Sequence, residues 1–237
     1  MISLIRQRLL VIAPHPDDEV IGCGGLIQKI KENGGKVFVL FLTVGDTKDF
    51  SEKGKSSASS RKKEIEHVAK FLKYDNYHIA FPGNKYHLKL DSLGQLALMN
   101  MIERESKVSI EKVKPTIVAF PSPTSYNQDH HMAALAAHAA LRPAPNSLKH
   151  FVNIVLSYEE VGDLWSLSAN FTPNLLIPLS IEELDKKLTA IKLYITQYRK
   201  EPSTRSKETI MAHSKLLGSL CGNQYAEGFK TQRIFLQ

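Results

Sequence analysis

The chain has 237 residues, of which 43% are hydrophobic and 23% charged, and its formal net charge is +7. This composition is typical of a globular protein, and the length suits one hydrophobic core, so we expect a single domain over residues 1–237. The longest apolar run, Val37 to Val44, is far shorter than the roughly 20 residues of a membrane helix, and Met1 to Leu10 lacks the separate apolar region of a signal peptide. We therefore expect a cytoplasmic protein without a transmembrane segment.

Charge and cysteine content narrow the class of protein further. Lysine and arginine are scattered along the chain rather than gathered around aromatic residues, which favours solvated surface charge over binding of nucleic acid. Cys23 and Cys221 lie too far apart in sequence for a thiolate zinc site, and two cysteines are too few for a disulfide scaffold. A cytoplasmic protein with no nucleic-acid partner fits these features.

The first strongly patterned segment, Leu9 to Gly25, passes from apolar residues into acids and an imidazole. Leu9 to Ala13 is apolar on both faces, as in a central parallel strand. His15, Asp17 and Asp18 would then lie at the carboxyl end of a strand, where open α/β sheets bind ligands. Imidazole and carboxylate groups suit a divalent metal and a carboxylate that activates water. The alternative, that the acids only complement a helix dipole, leaves His15 unexplained.

Strand and helix patterns then alternate, with a polar segment at 45–60 that is typical of either a substrate lid or a disordered linker. This alternation predicts an α/β fold, Rossmann-like, with a mostly parallel sheet and helices on both faces. The apolar periodicities predict helices at 20–33, 60–72, 92–111, 130–141, 181–198 and 203–218, and strands at 9–13, 36–44, 77–81, 116–120, 153–158 and 174–179.

Two of the predicted helices carry more specific expectations. The helix at 60–72 is expected to begin at Ser60 as its N-cap, and its residues Arg61 and Glu64 are spaced for an ion pair on a surface helix. The helix at 92–111 is expected to present Leu93, Leu96, Met99, Met101 and Ile102 to the core.

A second polar cluster follows the predicted strand at 116–120. Asn127, Asp129 and His130 open the next helix, in an arrangement that repeats the first cluster. Since the carboxyl ends of parallel strands meet at one edge of the sheet, we expect His130 to reach the same place as His15 and Asp18.

The two clusters resemble the signatures of the LmbE/PIG-L family of zinc-dependent N-deacetylases. Ala13-Pro-His-Pro-Asp-Asp-Glu19, with Pro14 as an inserted residue, is similar to the first signature, and Asn127-Gln-Asp-His130 resembles the second. The resemblance implies a Rossmann-like hydrolase in which a metal-activated water attacks an acetamide. It also implies roles for individual residues: Zn²⁺ or another divalent metal bound by His15, Asp18 and His130, Asp17 as general base, Asp129 orienting an imidazole, and Arg61 contacting the substrate.

The chain departs from this family pattern at Asn127, where relatives usually have a histidine. Asparagine donates hydrogen bonds but does not titrate, so we expect support for the oxyanion in weakened form. Proton donation to the leaving amine would pass to Asp17 or to another group, with His131 the nearest replacement in sequence.

The resemblance therefore implies removal of an acetyl group from an N-acetylated amino sugar, either a small molecule or a glycoconjugate, and leaves a homo-oligomer open. One alternative is a nucleotide- or S-adenosylmethionine-binding protein, because Gly22-Cys-Gly-Gly25 superficially resembles a glycine-rich loop. That fingerprint needs its glycines directly after the strand, whereas these follow the acid cluster. A second alternative, suggested by Asn127, is a metal-binding protein with little catalytic activity.

Overall fold

The computed structural model describes residues 4–48, 54–167 and 172–235. The strands found in these ranges are β1 Arg8–Ala13, β2 Lys36–Val44, β3 Thr47–Lys48, β4 Lys55–Ser56, β5 Asn76–Pro82, β6 Ile117–Pro121, β7 Ile154–Tyr158, β8 Leu175–Leu179 and β9 Tyr225–Ile234. The α-helices are α1 Asp18–Glu32, α2 Ala58–Phe71, α3 Gln95–Asn100, α4 Ile110–Val113, α5 Gln128–Ala140, α6 Ile181–Leu193 and α7 Lys207–Ser219. Short 3-10 segments lie at Leu90–Ser92 and Val161–Leu164.

The main sheet has seven strands in the order β5-β2-β1-β6-β7-β9-β8. The first five are parallel, whereas β9 runs antiparallel to both of its neighbours. From β1 the chain moves outward through β2 and β5, and it then returns to add β6 on the other side of β1. The strand order thus reverses between β1 and β6, which is where open α/β sheets bind ligands. This topology confirms the predicted α/β, Rossmann-like fold.

Strand β1 is buried on both faces, as its unbroken apolar sequence predicts. Leu9 and Val11 belong to one hydrophobic cluster, in which α1, α2 and α6 pack on the sheet. Leu10 and Ile12 belong to a second cluster on the opposite face, to which α5 contributes a row of alanines. Because a strand alternates its side chains between faces, β1 joins the two halves of the core and its end is held firmly in place.

The predicted helix at 92–111 is wrong as a single element. It divides into α3, a π-helical turn at Met101–Glu105 and α4. The Ser106 hydroxyl accepts the Val108 amide at 3.0 Å, a local bond that competes with helix continuation. Leu96, expected in the core, is 67% exposed, whereas Ile102 is buried as predicted and Leu98 is buried although it was not predicted to be.

Other helix boundaries also differ from the sequence predictions. The N-cap of α2 is Ser57, whose hydroxyl accepts the Ser60 amide at 3.2 Å, so the predicted cap at Ser60 is three residues too late. Helix α6 ends at Leu193 rather than continuing to residue 198. The last helix starts at Lys207, four residues after the predicted start. Among the helices in the described ranges, none has the length and apolar character needed to cross a membrane.

The glycines early in α1 serve close packing. A Cβ atom added at Gly22 would lie 2.2 Å from a ring carbon of Tyr158, and one added at Gly25 would lie 2.5 Å from a methyl carbon of Leu179. The Tyr158 ring is fully buried, and its hydroxyl donates to the Ile12 carbonyl at 2.9 Å. The space beside these glycines is occupied by side chains of this chain, which disfavours the nucleotide-loop alternative.

Candidate active site

The two polar clusters meet at the carboxyl ends of β1 and β6. His15 and Asp18 come from the turn between β1 and α1, and His130 comes from the first turn of α5. All three are buried, and the ligand atoms that they offer lie within 4.8 Å of one another. The sheet topology therefore brings together residues that are more than a hundred positions apart in sequence.

The Asp18 carboxylate lies at the centre of this group. Its Oδ2 atom is 3.5 Å from His15 Nδ1 and 3.3 Å from His130 Nε2, and it accepts the His15 backbone amide at 2.7 Å. Two imidazoles and one carboxylate that converge in this way match the donors of a catalytic zinc site with open coordination positions.

Asp129 orients the His15 ring from behind. Its Oδ2 atom is 3.0 Å from His15 Nε2, and its Oδ1 atom accepts the Leu90 amide at 2.9 Å. A carboxylate only accepts hydrogen bonds, so the Nε2 atom carries a hydrogen, and when the ring loses its second proton the lone pair is left on Nδ1, the atom that faces Asp18. Carboxylate partners of this kind fix the tautomer of metal-binding histidines.

The electrostatics of the cluster favour a cation. Burial alone would lower the pKa of His15, but the Asp129 and Asp18 carboxylates outweigh it and raise the pKa to about 9. Burial likewise opposes ionisation of Asp18, yet the two histidines hold its pKa well below the usual value. His130 Nδ1 is a buried nitrogen without a hydrogen-bond partner among the described residues. Two imidazole nitrogens and one carboxylate oxygen, supported by the Asp129 carboxylate behind His15, are donors that fit a divalent metal.

Asp17 lies beside this group in a strained conformation. Its φ angle is 106°, in a region that side chains other than glycine rarely adopt. Its amide donates to Glu19 Oε2 at 3.2 Å, and Glu19 Oε1 in turn accepts the hydroxyls of Tyr74 at 3.0 Å and Tyr194 at 2.5 Å. Such a backbone costs about 1–3 kcal/mol and persists only where its surroundings hold it, as Glu19 does here.

The Asp17 carboxylate does not cap α1, although Asp17 is the residue that precedes the helix. It makes no cap hydrogen bond to α1, and its buried Oδ2 atom has no hydrogen-bond partner among the described residues. Burial raises the pKa of Asp17, and Arg205, whose Nη1 atom lies 3.6 Å from Oδ2, opposes that rise. The side chain is thus a buried acceptor beside a permanent positive charge.

Arg61 points inward from α2 and is only 3% exposed. Its Nη1 atom donates to His87 Nε2 at 3.2 Å and its Nη2 atom to the Pro16 carbonyl at 3.3 Å, whereas the buried Nε atom has no partner in the described ranges. Glu64 instead accepts the Thr196 amide and hydroxyl at 2.8 and 2.7 Å. Arg61 and Glu64 therefore bond to different groups, and the surface ion pair that their spacing suggested is not the arrangement found.

His87 supports Arg61 as a neutral acceptor. Arginine only donates, so Nε2 must accept, and the ring hydrogen on Nδ1 then points to Thr43 Oγ1 at 3.1 Å. Burial, assisted by the positive neighbours His15 and Arg61, lowers the pKa of His87 to about 3. No motif around His87 marked it as part of the site.

Asn127 is the N-cap of α5. Its Oδ1 atom accepts the Asp129 amide at 2.9 Å, so the amide group of the side chain is held in one orientation. Asn127 lines the cavity, whereas His131 is exposed and its Nδ1 atom is 2.8 Å from the Pro123 carbonyl. His131 thus lies outside the cluster and does not replace the missing histidine.

A cavity of about 900 Å³ opens over these residues. Its floor includes His15, Asp17, Arg61 and Asn127, and its walls include the β3–β4 hairpin and the segment from Ile195 to Arg205. Arg205 was missed at the sequence level because it lies between two helices, far along the chain from both signatures, in a segment without a motif. The polar segment at 45–60 borders the cavity as a lid would, although residues 49–53 lie outside the described residues.

Comparisons with known proteins agree with this geometry. The sequence profile of the PIG-L family, described as GlcNAc-PI de-N-acetylase, matches residues 10–141. Diacetylchitobiose deacetylase of Thermococcus kodakarensis is 26% identical over 234 residues, which cover 94% of this chain and 82% of that protein.

Solved structures share the fold over nearly the whole chain. The conserved protein TT1542 from Thermus thermophilus superposes with a TM-score of 0.72 at 26% identity, covering 98% of this chain and 97% of that one. The N,N'-diacetylchitobiose deacetylase from Pyrococcus horikoshii has a TM-score of 0.71 at 21% identity, covering 95% of this chain and 84% of the other.

Proposed function

This chain belongs to the PIG-L family, and from that membership we propose that it is a metal-dependent deacetylase that hydrolyses the acetamide of an N-acetylated amino sugar. One observation carries the proposal: a buried group of three possible metal donors lies beside a carboxylate oxygen of Asp17 that has no hydrogen-bond partner among the described residues, and His15 and Asp17 line one cavity. The T. kodakarensis relative, named for deacetylation of a chitin disaccharide, supports the substrate class.

We assign metal binding to His15, Asp18 and His130, with Zn²⁺ as the expected ion. A divalent metal held there supplies a Lewis acid that polarises the acetamide oxygen and lowers the pKa of water. Asp129 contributes by accepting the hydrogen of His15 Nε2, which leaves Nδ1 as the ring nitrogen that would hold the metal.

Asp17 is assigned as the general base. Its Oδ2 atom, which has no hydrogen-bond partner among the described residues, would accept a proton from the attacking water. The positive charge of Arg205, 3.6 Å from this oxygen, favours the ionised carboxylate that this step needs. The same carboxyl group, once protonated, returns the proton to the amine nitrogen as the C–N bond breaks. The strained backbone at residue 17 and its support by Glu19 direct the carboxylate toward the cavity instead of toward the end of α1.

Asn127 and Arg61 complete the proposed site as donors. Because Asn127 Oδ1 is committed to the Asp129 amide, its Nδ2 group is the part left to donate to the developing oxyanion. Arg61 has an unpartnered buried Nε–H and lines the cavity, which suits it to bind substrate oxygen atoms.

The test is hydrolysis of a panel of N-acetyl sugars by zinc-loaded protein, with acetate and primary amine measured separately. Equal amounts of both products are expected, and the metal-loaded Asp17→Asn variant should release neither at a comparable rate. If the metal-loaded parent releases no acetate from N-acetylglucosamine, diacetylchitobiose or a phosphorylated N-acetyl sugar, the deacetylase assignment is wrong.

A further inference from the structure

We propose that His87 is a positioning residue of the active site, which holds the buried guanidinium group of Arg61 for the substrate and does so as the tautomer with its hydrogen on Nδ1. This role rests on the proposed function, since that function assigns substrate binding to Arg61. Arg61 is among the described residues that line the large cavity, and His87 is not. His87 therefore acts on the substrate through Arg61 and does not touch it.

The ring of His87 connects three elements around Arg61. Its Nε2 atom is 3.2 Å from Arg61 Nη1 on α2 and 2.7 Å from Thr47 Oγ1 on β3. On the other side of the ring, Nδ1 is 3.1 Å from Thr43 Oγ1, near the end of β2. Arg61 Nη1 also lies 3.4 Å from Thr47 Oγ1, and Nη2 donates to the Pro16 carbonyl at 3.3 Å. The guanidinium group is thus held at both of its terminal nitrogens.

The donors and acceptors of this network agree with one tautomer of His87. Arginine has N–H groups and no acceptor, so His87 Nε2 has to offer its lone pair to Arg61. The ring hydrogen is then on Nδ1 and is donated to Thr43 Oγ1, whose own hydrogen points to the Pro14 carbonyl at 3.3 Å. With the ring hydrogen on Nε2, two N–H groups would face each other, and Arg61 would lose its acceptor on the ring.

Close packing fixes the ring in this place. His87 is only 5% exposed, and its ring lies edge-on to the His15 ring, with 5.5 Å between the two centroids. A Cβ atom added at Gly45, directly after β2, would lie 2.5 Å from His87 Cβ. The glycine at this position therefore leaves the space that the imidazole needs.

The chain after His87 is held by the first turn of α5. Leu88 has a φ angle of 58°, a left-handed conformation that is rare for a bulky residue. Its carbonyl accepts the Gln128 side chain at 2.8 Å, and the Leu90 amide donates to Asp129 at 2.9 Å. A conformation of this kind costs free energy and persists only where its surroundings hold it. The start of α5, which carries the second signature, thus also sets the position of His87.

A fixed guanidinium plane is what Arg61 needs in order to bind a substrate. The guanidinium group presents its donors as a rigid fork, so binding is stronger when the fork is oriented before the substrate arrives. The Nε–H group of Arg61 is buried and has no partner among the described residues, whereas His87 accepts at the far end of the group. Loss of His87 should therefore weaken substrate binding. Zinc affinity should stay parental, because the His15 ring keeps its Asp129 partner.

NMR spectra of the zinc-loaded protein test the tautomer and the orientation without turnover. With isotope-labelled histidine, long-range proton–nitrogen correlations should show the His87 hydrogen on Nδ1, and this signal is assigned by its loss in His87→Gln. With labelled arginine, the Nε–H signal that is lost in Arg61→Ala should be sharp in the parent and broadened in His87→Leu. It should be retained in His87→Gln, whose amide oxygen can accept from Arg61. A ring hydrogen on Nε2, or equal Arg61 signals in the parent and His87→Leu, would overturn the proposal.

NMR titration of N-acetylglucosamine into zinc-loaded Asp17→Asn protein tests whether His87 acts through Arg61. His87→Leu should weaken binding about tenfold when Arg61 is present, because a buried charged donor loses its acceptor. In the Arg61→Ala background the same change should cost about twofold or less, because residues that act as a unit are not additive. Equal weakening in both backgrounds would show that His87 does not act through Arg61.

His78→Leu is the matched control for these titrations. His78 on β5 is also partly buried, its Nδ1 atom is 3.0 Å from Ser106 Oγ, and it is not among the described residues that line the cavity. The control should keep the parental affinity for the sugar. The same loss in His78→Leu and His87→Leu would overturn the positioning role in favour of a general effect of replacing a histidine.

Zinc affinity and hydrolysis separate this inference from the proposed function. In chelator competition, a loss of zinc affinity in His87→Leu as large as that in His130→Ala would mean that His87 supports the metal and not Arg61. If the His87 tautomer and the Arg61 signal are as expected but no N-acetyl sugar is hydrolysed, the positioning of Arg61 stands and the deacetylase proposal fails. If sugars are hydrolysed but the Arg61 signal does not depend on His87, the deacetylase proposal stands and the positioning role fails.

Discussion

Replacement of His130 by Ala should remove most of the metal affinity, whereas replacement of its neighbour His131 should not. The Nε2 atom of His130 lies 3.3 Å from Asp18 Oδ2 inside the buried donor group, while His131 is exposed and bonded to the Pro123 carbonyl. The two substitutions delete the same side chain from adjacent positions of α5. A difference in metal affinity between the two variants would therefore be due to the position of His130 in the site, because both variants lose one histidine from the same helix.

The zinc affinity of Asp129→Asn should lie between those of His131→Ala and His130→Ala. Asp129 accepts from both His15 Nε2 and the Leu90 amide, and an asparagine has a single acceptor oxygen, so either orientation of the new amide loses one bond. Loss of such an outer partner weakens metal binding about 10–100-fold, which is about 1.4–2.7 kcal/mol. His130→Ala deletes a direct donor and should exceed the upper end of that range.

Competition with a chromogenic zinc chelator gives the dissociation constants, and thermal unfolding without metal shows that each variant is folded. The expected order of affinity is parent and His131→Ala together, then Asp129→Asn, then His130→Ala. Parental zinc affinity in His130→Ala would refute the assigned ligand set. Equal weakening in His130→Ala and His131→Ala would show that the helix, and not the donor, was disturbed.

Three further predictions concern catalysis and packing. Asp17→Asn should bind zinc with parental stoichiometry and lose about two to four decades of turnover, and turnover at the parental rate would exclude a base role. Asn127→Asp keeps the oxygen that caps α5 but removes the amide donor. We therefore expect kcat to fall about 100–1,000-fold while the midpoint of thermal unfolding changes little. An unchanged kcat would mean that another group stabilises the oxyanion. Gly22→Ala should lower the unfolding free energy by about 1–3 kcal/mol, because the new methyl group meets the Tyr158 ring. Gly162→Ala should stay within about 0.5 kcal/mol in the same urea titrations, because its methyl group would only make ordinary van der Waals contact with Tyr126 and Thr204, at 3.7 Å and more.

The sequence predicted six of the seven strands of the main sheet, because these are marked by purely local patterns, and it missed β9 at Tyr225–Ile234. Strand β2 was predicted at its observed bounds, since the eight consecutive apolar and β-branched residues that follow Lys36 favour few other structures. Helix ends were less predictable, because Ser57 and Ser60 are chemically equivalent caps and only tertiary contacts of α2 decide between them. The break in the helix at 92–111 depends on a hydroxyl bond of Ser106 that periodicity does not report.

The sequence predicted those residues of the site that belong to one of the two signatures. It did not predict the residues that lie in connecting segments without a motif. His15, Asp18 and His130 each follow a buried strand, so the parallel sheet alone predicts that they meet. Arg205 lines the cavity, and the centroid of the His87 ring lies 5.5 Å from that of the His15 ring. Both residues come from connecting segments whose paths depend on the whole fold. Composition can mark such segments as polar, but it does not indicate which of their many cations faces inward.

The position of Arg205 bears on the alternative of a protein that binds metal with little catalysis, which Asn127 had suggested. Asn127 is neutral, so positive charge beside the buried Asp17 carboxylate has to come from another residue. Arg205 supplies it at 3.6 Å, held by a bond from its Nη1 atom to the Gln197 side chain at 3.0 Å, and a guanidinium remains charged at any physiological pH. We infer that the asparagine removes a titrating group from the site without removing its positive charge, so the departure at residue 127 does not by itself argue against turnover.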